Sequence, residues 1–92
     1  MNRLEPSYII SETVHFLEVL SEVKHLYIAD LWYLNIFTEK AMDHPEIFGD
    51  CRKVYEAIQK DLGGRVTTEN YYDHFDFEPR KYLDELRKYK GE

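Results

Sequence analysis

A single cysteine, Cys51, excludes an internal disulfide framework. Four glycines, of which only Gly63 and Gly64 are adjacent, leave no Gly-rich loop able to cradle a phosphate. No apolar run approaches the roughly 20 residues needed to cross a bilayer. Positive charge is also scarce. Twelve Lys and Arg stand against 18 Asp and Glu, a formal net charge of −6, which argues against general binding to nucleic acid or an anionic membrane. Nothing near Met1 resembles a signal peptide, so an intracellular, cytoplasmic and reducing location is expected. The 92 residues make one domain. A domain of this size buries only about 60–65% of its unfolded-chain surface, so homodimerisation is an expected source of stability.

Between Pro6 and Pro45 there is no proline or glycine. Within that interval Leu26 to Phe37 reads LYIADLWYLNIF, in which Asp30 and Asn35 alone are polar. At about 100° per residue, Phe16, Leu20, Val23, Tyr27, Leu31, Leu34, Thr38 and Ala41 form one stripe, which predicts a single long central helix ending near Asp43. The stripe is a heptad seam with one stutter. Glu18, Glu22, Glu39 and Asp43 occupy the opposite side, yet Ile28, Trp32 and Ile36 fall there too. The middle of such a helix is apolar all round, so Ile28, Trp32 and Ile36 are expected to meet a partner or a second subunit. The aromatic and branched residues also suit strands, but no turn signal divides them.

Pro45 suits the first turn of a second helix, with Ile47, Cys51, Val54, Ile58 and Leu62 on its apolar face and Gly63-Gly64 as its stop. Thr67 or Thr68 can cap a short third helix running to about His74. A fourth starts at Asp76 or Glu78 with Pro79, has Tyr82, Leu83, Leu86 and Tyr89 as its apolar face, and stops at Gly91. The expected fold is mainly α: a compact domain of three to four helices, with room for a short β element near residues 65–67 or 75–77.

Catalytic signals are thin. Cys51 lies on an apolar helix face, where thiols are usually inert. The four histidines have no recognisable nucleophile partner, so an enzyme is not expected. Two Glu-x-x-His units, Glu12 to His15 and Glu22 to His25, match the ligand spacing of di-metal bundles. Placed ten residues apart on one helix, they are about 15 Å from each other, and solvated surface residues are the plainer reading. Residues 59–70 have the glycine and threonine of a calcium-binding helix-loop-helix, but Gln59 and Asn70 stand where its end carboxylates belong. No metal or other cofactor is assigned.

The segment ENYYDHFDFE, Glu69 to Glu78, contains four acids, four aromatics and no Lys or Arg. Tyr71, Tyr72, Phe75 and Phe77 supply contact area, and Glu69, Asp73, Asp76 and Glu78 would select a basic partner. Capping of a small core is the structural alternative for the same aromatics.

In length, acidity and aromatic content the chain resembles the small phage-encoded inhibitors that block host nucleases and DNA-binding proteins, among them the DNA mimics of the T-even anti-restriction type. The resemblance lies in overall character and in no motif. It implies a non-enzymatic, dimeric DNA mimic acting in the host cytoplasm, with Glu18, Glu22, Glu39, Asp43, Glu69, Asp73, Asp76 and Glu78 standing in for phosphates. Duplex DNA carries one charge per ~1.7 Å, so mimicry requires those acids to gather on one face. The alternative is a helical regulatory or immunity-type module that holds one partner through Trp32, Ile36 and the aromatic segment.

Overall fold

The computed structural model describes residues 5–89. Helix α1 spans Pro6–Leu20 and begins, as expected, with proline in its first turn. It stops at Leu20, with Ser21 as its C-cap. Ser21 turns its hydroxyl back to donate to the Glu18 carbonyl at 2.6 Å, and the chain leaves the helical path. Tyr27 is extended, a 3-10 turn covers Ile28–Leu31, and α2 follows over Trp32–Asp43.

The expected single long central helix is therefore two helices. Its interruption coincides with the stutter of the apolar stripe, and Val23 and Tyr27, both placed on that stripe, are about 40% exposed. Long-range backbone pairing competes successfully with helix here. The Ile28 amide donates to the Asp73 carbonyl at 2.8 Å, Ala29 to Tyr71 at 2.8 Å, and Phe75 to Leu26 at 3.0 Å. Tyr27 and His74 form an isolated antiparallel bridge, the one extended feature; no strand occurs among the described residues. Asp30 fixes the entry to the next turn by accepting the Tyr27 amide at 2.8 Å.

After α2, the one-turn α3 covers Pro45–Phe48, a 3-10 turn covers Gly49–Cys51, and α4 runs over Arg52–Leu62. The second helix is thus broken at Gly49, whose φ of 57° strains any residue with a Cβ. That break turns Ile47 outward, while Cys51, Val54, Ile58 and Leu62 stay buried. Gly63 ends α4 in the left-handed conformation, φ 59°. The third expected helix is only a 3-10 turn, Thr68–Asn70, with Thr67 Oγ1 accepting the Asn70 amide at 3.3 Å. Its remaining residues pair with 26–29 instead. Helix α5 spans Arg80–Arg87 and buries Tyr82, Leu83 and Leu86; Gly91 lies outside the described residues.

Helix α2 packs on α4 and α1, and α1 also packs on α5. Val14, Leu17, Leu31, Leu34, Ile58 and Leu86 fill the space between them. Two polar side chains are tied down inside. Thr13 donates to the Ile9 carbonyl at 2.7 Å, which leaves its oxygen to accept from the Tyr55 hydroxyl, also at 2.7 Å. Thr38 donates to the Leu34 carbonyl at 2.8 Å. No buried side-chain polar atom is unsatisfied among the described residues. None of the described helices is long and apolar enough to cross a membrane.

Candidate interaction edge

The backbone bonds between residues 71–75 and 26–29 bring two separately expected surfaces together. Trp32 begins α2 directly after the paired segment, and its ring meets Tyr71 edge-on, centroids 5.8 Å apart. Tyr71 in turn meets Tyr72 at 5.4 Å, also edge-on. Tyr72 completes the row at 81% exposure, the most exposed large apolar residue described. Ile36, half-buried, lies one turn beyond Trp32 on the same side of α2. Ile28 does not belong to this surface. At 1% exposure it is a core residue, because the pairing with residue 73 turns its side chain inward, and its expected place in an interface is corrected.

The aromatic segment divides by role. Phe75 is buried, and Phe77 stacks between Phe75 at 6.5 Å and Tyr82 at 5.6 Å, so these two cap the core. Arg65 covers the Phe75 ring with its guanidinium 4.6 Å from the centroid. Tyr71 is half-buried and Tyr72 faces outward, as do Glu69, Asp73, Asp76 and Glu78, all four of which are exposed. His74 leans on Tyr27 at 4.4 Å and meets His25 at 5.8 Å.

The other acids do not join this edge. Glu18 accepts from Arg87 at 2.8 Å across α1 and α5, and Glu22 borders the same groove with Arg80 and Asp84. Glu39 accepts weakly from Asn35 at 3.4 Å and lines a groove between α2 and α4 with Glu56 and Lys60. Asp43 is exposed at the far end of α2. Bases are interleaved with the first three, Glu18, Glu22 and Glu39.

Burial by apolar neighbours pushes the Cys51 thiol up to about 11, which suppresses the reactive thiolate. Tyr82 is held well above the ordinary phenol range by burial first, then by donating to Asp61 at 2.6 Å. Among the described residues no group of three or more His, Cys, Asp and Glu side chains could hold a metal. Glu22 and His25 lie beyond the end of α1, so the second Glu-x-x-His unit loses its helical spacing. The calcium-loop likeness ends at Gly63 and Gly64, both at positive φ, where the chain only turns.

No protein family, curated protein or solved structure matches this chain.

The sequence pattern singled out Trp32 and the aromatic segment separately, as two surface candidates, but gave no sign that they adjoin or that it is Phe75 and Phe77 that turn into the core. Pairing between residues more than 40 positions apart leaves no local periodicity to read.

Proposed function

We propose that this chain is a non-enzymatic helical interaction module that binds one basic protein partner at the edge formed by Trp32, Ile36, Tyr71 and Tyr72. The observation carrying this reading is the row from half-buried Trp32 through half-buried Tyr71 to Tyr72, which leaves the Tyr72 ring in solvent in a segment with four exposed carboxylates. Interfaces favour such residues: rigid aromatics contribute contact area, and surrounding charge steers and selects the partner. Inhibition of a DNA-binding protein or nuclease fits that chemistry, since such targets present basic surfaces.

DNA mimicry by a homodimer is the second reading, supported by the net charge of −6 and by the absence of Lys and Arg from residues 69–78. It asks more of Glu18, Glu22 and Glu39, which stand among bases away from that edge, and of Asp43 at the far end of α2. The immobilised chain, exposed to an extract of nucleases and nucleoid proteins, separates the two. An aromatic interface retains its partner at high salt and loses it on Tyr72→Ala. Mimicry releases it at moderate salt and in the presence of competing duplex DNA, with Tyr72→Ala having little effect. No retained protein in either form would overturn both.

A further inference from the structure

Helix α1 carries a second exposed face on the side away from the core. Tyr8, Glu12, His15 and Val19 recur at intervals of 4, 3 and 4 residues and fall within about 60° of one another around the helix. Tyr8 is 62% exposed and Val19 48%. Beside this stripe Phe16 meets Tyr33 edge-on at 6.1 Å and Phe37 at 6.4 Å, and Tyr33 is itself 60% exposed. Tyr33 lies about 100° around α2 from Trp32, so this face is separate from the proposed partner edge.

We infer that this face is a two-fold contact between two copies of the chain, with the two α1 helices packed antiparallel. The order of residues along the stripe is what selects a second copy as the occupant. In a two-fold pairing centred between Thr13 and Val14, Tyr8 meets Val19 of the second copy, and the Glu12 carboxylate meets the His15 imidazole of the second copy. Symmetry repeats both contacts, giving apolar pairs at the two ends and two carboxylate–imidazole pairs in the middle. A register centred on Glu12 sets two carboxylates together, and one centred on His15 sets two imidazoles together. The stripe is therefore self-complementary in one register and opposed by its own side chains in those two. Neither Glu12 nor His15 has a polar partner among the described residues, so the contact breaks nothing within the chain. Antiparallel packing also aligns the helix dipoles favourably.

Sedimentation over a range of concentrations tests this with wild type, Glu12→Arg and His15→Glu. All three should fold, since Glu12 is only partly buried and His15 is exposed; equal helix content by circular dichroism checks it. Wild type should form a dimer as concentration rises. Each variant should dimerise about tenfold more weakly or worse, because each loses the two carboxylate–imidazole pairs and His15→Glu also sets carboxylates against carboxylates. Mixing the two variants is the decisive arm. In the mixed pair the introduced guanidinium faces the introduced carboxylate while native His15 faces native Glu12, so a heterodimer should form where neither variant alone does. The inference is overturned if wild type stays monomeric, if either variant associates like wild type, or if the mixture fails to associate. Loss of a partner bound at Trp32 and Tyr72 would leave every one of these outcomes unchanged.

Discussion

Tyr55 and Tyr72 are the same residue type put to opposite uses. Tyr55, on α4, is fully buried, with its hydroxyl satisfied by Thr13 of α1 and its ring against Phe48 of α3. Tyr72 stands in solvent at the end of a row of rings. Burying a tyrosine costs a hydrogen bond to water and is repaid only where a partner replaces it. The helical centre provides that partner. At the edge formed by residues 69–78, backbone bonds to 26–29 hold the loop in place, so its outer rings are not needed to stabilise the fold. Large apolar side chains that do not stabilise the chain are the ones available to bind something else.

The contrast predicts a graded set of outcomes in urea unfolding. Tyr55→Ala should destabilise the domain by about 3–5 kcal/mol, a large share of a stability of about 5–15 kcal/mol, while Tyr55→Phe should cost only about 1 kcal/mol by removing one hydrogen bond. Cys51, with its thiol pushed up to about 11, favours the protonated form when folded. Its contribution is complete below the ordinary thiol value and is lost as pH rises towards 11, so the urea midpoint should fall over that range in wild type and fall less in Cys51→Ala. Asp30→Ala removes the acceptor of the Tyr27 amide and should cost about 1 kcal/mol, with faster hydrogen exchange at Ile28, Ala29 and Phe75 as the loop loosens. Tyr72→Ala should change stability by less than about 0.5 kcal/mol. A large loss on Tyr72→Ala would erase the distinction between centre and edge.

Much of the helical half is legible from residue order alone. Pro6 and Pro45 open helices, Gly63 closes one at positive φ, and Cys51, Val54, Ile58 and Leu62 keep their apolar spacing. The break between Leu20 and Trp32 is not legible in that way, because no proline or glycine marks it. Two features nonetheless coincide with it: the stutter at Val23, Tyr27 and Leu31, and the girdle made by Ile28, Trp32 and Ile36. A helix apolar on every side in a small domain is better read as a segment that changes structure, here to an extended Tyr27 followed by a 3-10 turn over Ile28–Leu31. Residue order alone could also not distribute the acids. Glu18 meets Arg87, 69 positions away, through the packing of α1 on α5.

Trp32 is the sole tryptophan, so its fluorescence reports on the proposed edge without interference from another indole. The most direct test titrates the chain with the basic protein it retains and follows Trp32 emission beside an independent measure of binding. The edge reading predicts that emission shifts in step with binding, and that Tyr72→Ala weakens both by at least about tenfold while the fold persists. Binding that leaves Trp32 emission unchanged and is indifferent to Tyr72→Ala would contradict it.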